Sequence, residues 1–245
     1  PGGAGGARHP PEGGRTQTLV VKKLVGVQRR EADVYRLLWK TLPQPPMARV
    51  LAHRDTVDAA YLCLENLRPV SAGPRRAPPM AVPAWETLAR LHQLRLGASE
   101  LPPSNYEEDL QASAQQTLQL AGTARDDGAP VWRRFGDLRR VVGALGTIRA
   151  RLLQSEATLI HGDVHPGNVL VRGGAGPDRV VFIDWAAARI GSPLEDAASW
   201  LHSLGCWDAE ARRRHDALLA AYLRARGGAA RLDATLRTDY WLASA

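Results

Sequence analysis

Cysteine is close to absent. The chain of 245 residues has two, Cys63 and Cys206, in no spacing that a disulfide framework or a cysteine metal site uses. That scarcity excludes the small stapled scaffolds of secreted proteins. No apolar run approaches the ~20 residues of a membrane-spanning helix. The Gly- and Pro-rich start lacks the apolar core of a secretory leader. A cytoplasmic protein without a membrane partner is the expectation. Lysine is scarce as well: Lys22, Lys23 and Lys40 are all there is, so arginine carries the net charge of +7. The arginines are scattered along helical segments and not interleaved with aromatics, which argues against a nucleic-acid partner. The same charge argues mildly against a strongly polycationic substrate, unless acidic residues gather in a cleft.

What is present is enough for a globular core. Hydrophobic residues make up 44% and charged residues 23%, in a length that suits one large domain or two small lobes. Chemistry concentrates in Leu159-Ile160-His161-Gly162-Asp163-Val164-His165-Pro166-Gly167-Asn168-Val169-Leu170-Val171. Here an Asp and an Asn sit five positions apart on a tight loop between two apolar runs. A third run, Val180-Val181-Phe182-Ile183, delivers Asp184 and Trp185. Phosphoryl transfer needs such a set: a carboxylate to take the proton of an attacking hydroxyl, then an amide and a second carboxylate to hold Mg²⁺ on the ATP phosphates. Taken alone, Asp163 reads equally well as a turn former. His161 reads as a brace for the loop backbone, His165 as loop scaffold, and Pro166-Gly167 as a turn.

His161-Gly162-Asp163, Asn168 and Ile183-Asp184-Trp185 resemble the motifs of the aminoglycoside phosphotransferase (APH) family, small-molecule kinases with a protein-kinase-like fold. Protein kinases keep the same Asp-to-Asn spacing in H-R-D-x-x-x-x-N and follow it with D-F-G. The resemblance runs from about Thr18 to Leu204. It implies an α+β, bilobal fold with a small β-rich N-lobe and a larger, mainly helical C-lobe. It implies ATP and Mg²⁺, and a small-molecule hydroxyl as acceptor. Asp163 would be the catalytic base, and Asn168 and Asp184 the metal ligands.

Earlier segments carry the rest of the pattern. Thr18 to Leu24 reads as a strand on its β-branched content. Its Leu19-Val20-Val21-Lys22 aligns with the kinase V-A-I-K, whose lysine reaches the phosphates. Lys23 points to the opposite face, so Lys22 is chosen. From Gln28 to Leu42 the spacing of Val34, Leu37 and Leu38 predicts a helix. Glu31 opens it and, by the resemblance, pairs with Lys22, although the gap between them is short for the family. Val50–His53 and Ala59–Leu67 read as further strands. The latter ends in Leu64-Glu65-Asn66-Leu67, similar to the family's hinge, where the Glu65 carbonyl and the Leu67 amide would meet adenine.

After a Pro-rich connector from Ser71 to Pro83 the chain reads as mostly helical. Trp85 to His92 resembles the family's L-A-x-L-H helix, with His92 as packing. Tyr106–Leu120, Val131–Leu153, Asp208–Ala225 and Ala230–Trp241 are further helix expectations. Glu107, Glu108 and Asp109 read as a solvated first turn or as an acidic wall for a cationic acceptor. In Gly191-Ser192-Pro193-Leu194-Glu195-Asp196, similar to the family's G-x-P-x-x-D, Asp196 would clamp the backbone of the catalytic loop, as His161 would from within it. The expected division is a flexible start over 1–17, a nucleotide-binding N-lobe over 18–67 and a C-lobe over 68–245. No strand pair carries a glycine-rich phosphate loop, so the N-lobe reads as truncated. That gap motivates a rival reading, a nucleotide-binding pseudokinase or scaffold.

Overall fold

The computed structural model describes residues 18–69, 81–94, 96, 100–126, 135–172, 179–207, 209–227 and 232–244. The glycine-rich start and most of the Pro-rich connector lie outside them. Strand β1 (Leu19–Val25) passes through one 3-10 turn into helix α1 (Arg29–Thr41). Gly26 makes that connection at φ +54, a conformation that costs a Cβ-bearing residue energy. Strands β2 (Val50–Asp55) and β3 (Ala59–Glu65) follow. They form an antiparallel sheet of order β1-β3-β2, with Lys22 opposite Leu62 and Leu24 opposite Ala60. Side chains alternate along a strand, so Lys22 shares the face of buried Leu24 while Lys23 is exposed.

Helix α1 lies against this sheet through Glu31, Val34, Tyr35 and Leu38. Those positions are three and four residues apart, which sets them on one stripe. Glu31 therefore occupies a core position, 1% exposed. Sequence alone placed a carboxylate in a first helical turn; the structure makes it a buried charge in need of a partner.

The remainder is helical around two short sheets. Strand β4 (Arg68–Pro69) precedes helices α2 (Ala81–Leu91), α3 (Tyr106–Asp126) and α4 (Phe135–Ser155). Strands β5 (Thr158–Ile160), β6 (Val169–Val171), β7 (Val180–Phe182) and β8 (Arg189–Gly191) come next. Helices α5 (Pro193–Trp207), α6 (Ala209–Arg213), α7 (His215–Ala225) and α8 (Ala234–Ala243) complete the described chain. Strands β4, β6 and β7 pair in that order, and β5 pairs with β8. The β6–β7 hairpin is tied to the N-terminal part by the Phe182 N–H, which donates to the Pro46 carbonyl at 2.8 Å. One core runs through both parts, from Tyr35, Leu38 and Met47 to Trp85, Trp200 and Tyr222. Trp85 meets Trp200 edge-on at 6.3 Å and Tyr222 at 5.1 Å.

The helical stretch expected over Asp208–Ala225 divides into two helices, with a break at Arg214 (φ -96, ψ 12). No Gly or Pro marks it. Arg212, Arg213 and Arg214 give the run no apolar stripe, and buried residues resume only at Leu218. The direction of α7 is set by tertiary contact, with the His215 ring on the Tyr240 hydroxyl at 2.7 Å.

Candidate active site

The Asp163–Asn168 loop joins β5 to β6. Gly162 begins it at φ +84; a Cβ there would collide with the Ala187 carbonyl and the Arg189 guanidinium. His165 caps the short turn that follows, its Nδ1 accepting from the Gly167 N–H at 3.1 Å. Asn168 is thus turned back on the loop. Its Nδ2 donates to the Asp163 carbonyl at 2.9 Å and to Asp163 Oδ2 at 3.1 Å. The Asp163 carboxylate is held by an amide and still 52% exposed, open to an incoming group.

Asp184 approaches from the end of β7. Among the described residues it is the only non-glycine with positive φ, at φ 66 and ψ 66. Such a residue costs about 1–3 kcal/mol and persists where its surroundings over-determine it. Here they do. The Ile183 N–H donates to the Asn168 carbonyl at 2.9 Å, and His161 Nε2 donates to the Ile183 carbonyl at 2.9 Å. Both residues read as metal ligands are thereby fixed to one another through backbone.

Lys22 closes the arrangement. Its Nζ lies 2.5 Å from Glu31 Oε2 and 3.1 Å from Asp184 Oδ1. The short gap between Lys22 and Glu31 poses no obstacle, since the strand enters the helix through a single turn. Burial opposes charge on the lysine, but the bonds and charges of Glu31 and Asp184 outweigh it, and the Lys22 pKa is raised. Burial pushes the Glu31 carboxyl up against the pull of Lys22.

Asp196 sits one layer behind, at the start of α5. It is fully buried and accepts from the His161 N–H at 2.7 Å, the Gly162 N–H at 2.8 Å and His92 Nε2 at 3.0 Å. His92 Nδ1 then accepts from the Tyr222 hydroxyl at 2.5 Å. Burial holds both His92 and His161 below the ordinary imidazole pKa, so they are neutral rings at neutral pH. Burial would raise the Asp196 carboxyl, but its donors prevail and hold it below the usual range.

The oxygen donors suit a hard cation. Among the described residues no group of three His, Cys, Asp or Glu could by itself hold a metal. Magnesium needs no such cage; it takes one or two protein ligands and completes its shell with phosphate and water. Asn168 spends Nδ2 on Asp163 and keeps Oδ1, and the Asp184 carboxylate is 49% exposed. That donor set fits Mg²⁺ borne by phosphates.

Other expected residues lie apart from this cluster. The Glu65 side chain accepts from Arg172 and from the Arg49 N–H at 2.9 Å, and Leu67 is half-buried beyond it. Glu107, Glu108 and Asp109 form an exposed first turn of α3, with Glu107 3.0 Å from Arg149. Three arginines were invisible to motif reading. Arg30 donates to the Ala186 carbonyl at 2.6 Å and to the Pro103 carbonyl at 2.7 Å. Arg172 joins the strand end at Glu65 to the β6–β7 hairpin. Arg189 pairs with Glu195 and covers the Tyr106 ring at 3.4 Å. Only the position of Arg30 beside Glu31 hinted at its use.

A small β part with its own lysine–glutamate pair, set on a helical body through the β6–β7 hairpin, is the protein-kinase-like fold. The chain belongs to the phosphotransferase enzyme family, APH, which it matches over residues 18–237. Aminoglycoside phosphotransferase APH(3'')-Id from Streptomyces rimosus, solved with ADP and streptomycin, shares the fold at TM-score 0.59 and 20% identity, over 92% of this chain and 85% of that one. An ethanolamine kinase from Plasmodium vivax gives 0.59 at 15% identity, over 91% and 64%. A choline/ethanolamine kinase family protein from Mesorhizobium loti gives 0.58 at 18%, over 91% and 68%. No curated protein sequence matches the chain. Among the described residues no helix is long and apolar enough to cross a membrane.

Proposed function

We propose that this protein transfers the γ-phosphoryl group of ATP to a hydroxyl of a small molecule, in the cytoplasm, where ATP is at hand. The observation that carries the reading is the convergence of Lys22, Glu31 and Asp184 beside the Asp163–Asn168 pair. Five residues from four separate segments meet in the arrangement that phosphoryl transfer requires.

The contacts support a role for each residue. Lys22, kept charged by Glu31, grips phosphate oxygens. Asp163 accepts a hydrogen bond from the acceptor hydroxyl and takes its proton as the oxygen attacks phosphorus. The Asn168 amide steers that carboxylate and, with Asp184, presents oxygen to Mg²⁺. Held by these two residues, the ion would supply positive charge against the negative charge that develops on the transferring phosphate. Asp196 and His161 keep the loop backbone in place. The Glu65 carbonyl and the Leu67 amide are the adenine contacts we assign, at the junction of an N-lobe over 18–67 and a C-lobe over 68–245.

Thermal stability with and without ATP and Mg²⁺, on wild type and on Asp184→Asn, tests the site. Asn accepts the left-handed backbone at this position, so the variant keeps the fold. A magnesium-dependent rise in wild type, absent in the variant, is expected. Asp163→Asn should bind ATP normally and lose turnover ~100- to 1,000-fold toward a hydroxyl acceptor, the usual cost of one electrostatic or proton-accepting group. ATP binding with no transfer to any hydroxyl would favour a scaffold instead.

A further inference from the structure

A second concavity lies behind the β6–β7 hairpin. It is a cavity of about 560 Å³ between the C-terminal end of α1, the Pro43–Pro46 segment, the lead into β2, one side of α2 and the hairpin. None of Lys22, Glu31, Asp163, Asn168 and Asp184 lines it. Its size falls among small-molecule sites, roughly 300–1,000 Å³.

Charge sets it apart. Arg49, Arg90, Arg172 and Arg179 enter its lining, and among the described residues no Asp or Glu does. Two of the four are engaged. Arg172 holds Glu65 and reaches the Met47 carbonyl at 3.3 Å, and Arg90 reaches Thr87 at 3.4 Å. The other two are less engaged: among the described residues neither the Arg49 nor the Arg179 guanidinium has a hydrogen-bonded partner, Arg49 feels only the charge of Glu65, and Arg179 Nε is buried without an acceptor. Four guanidiniums brought together repel one another, and a buried N–H without an acceptor carries its full desolvation penalty. An oxyanion relieves both. The rest of the lining is largely apolar: the Trp39 indole, whose N–H is already given to the Ala48 carbonyl at 3.2 Å, with Pro45, Leu91 and Val180.

We propose that this cavity binds a small organic anion, bearing a phosphate or paired carboxylates on a flat apolar body. Arg49 and Arg179 supply the open donors, in the planar fork that matches such oxyanions. Trp39 and Pro45 pack the body. The ligand would join α1, which carries Glu31, to the hairpin that delivers Asn168 and Asp184, so occupancy should stiffen the scaffold of the candidate active site.

Calorimetric titration of the full chain with phenyl phosphate is the test, on wild type, Lys22→Gln and Arg49→Gln/Arg179→Gln. Among the described residues the two guanidiniums have no hydrogen-bonded partner to lose, so the double variant should keep the wild-type melting temperature. Wild type and Lys22→Gln are expected to bind one equivalent with equal affinity. The double variant should bind at least 10-fold more weakly, and phenol should not bind. Phthalate in the same titration separates a carboxylate site from a phosphate site. Equal affinity in the double variant, loss of binding in Lys22→Gln alone, or no binding of either anion to wild type would overturn the proposal.

Discussion

At the scale of single residues, Glu31 is the side chain whose meaning changed most. Its position at a helix start is favoured by the macrodipole whatever its use, so the sequence left two readings open. Burial separates them. A carboxylate with 1% exposure is sustained only by a partner, and Lys22 at 34% exposure is that partner. Removing the lysine leaves the charge uncompensated. Lys22→Met should therefore destabilise the fold by ~1–3 kcal/mol, below the ~3–5 kcal/mol of a fully buried pair because water reaches the lysine. Glu31→Gln should cost less stability and raise KM for ATP by releasing Lys22. Urea midpoints and ATP kinetics of the two variants check this; equal loss of stability in both would contradict it.

At the scale of elements, the Asp163–Asn168 loop is hung from α5 and α2 through Asp196 and His92, and its stability depends on proton occupancy. The folded pKa values of His92, His161 and Asp196 all lie below their unfolded ones. For such groups the unfolded chain binds more protons in acid, so their stabilisation is present above the unfolded values and lost as pH falls. The histidine part should fade first, below pH ~6.5, and the aspartate part below pH ~3.9. The melting temperature should drop between pH 7.5 and 5.5, with a shallower slope in His92→Gln. An unchanged slope would remove His92 from the account. This part of the fold was legible because each strand end and loop has a one-to-one polar pattern. The Asp163-to-Asn168 spacing and the Ile183-Asp184 step suffice to single out the three polar groups of the candidate site. The break at Arg214 was not legible, because contact between His215 and Tyr240, 25 positions apart, decides it. The arginine cavity stayed hidden for the same reason: Arg49, Arg90, Arg172 and Arg179 are spaced without pattern in sequence and meet only in space.

At the scale of the whole molecule, the question is what keeps the β part and the helical part in register, since the candidate site exists only at their junction. The core is continuous, but apolar contact has little directional preference. Arg30 supplies direction. From one residue of α1 it donates to the carbonyls of Pro102 and Pro103 before α3, and to those of Ala186 and Ala188 just after Asp184. Four backbone acceptors from two segments thus converge on the neighbour of Glu31, fixing the rotation of α1 relative to the loop that presents Asp184. Arg30→Gln can satisfy only part of that set. In native-state hydrogen exchange, the α1 amides of Val34, Tyr35 and Leu38 should then lose about 2–3 kcal/mol of protection, on the scale of charge-assisted hydrogen bonds. The amides of Leu201 and Leu204 in α5 should keep theirs, because the β part would open as a separate unit. If α1 and α5 lost protection together, Arg30 would be one more contributor to a single cooperative core and the register would be set elsewhere.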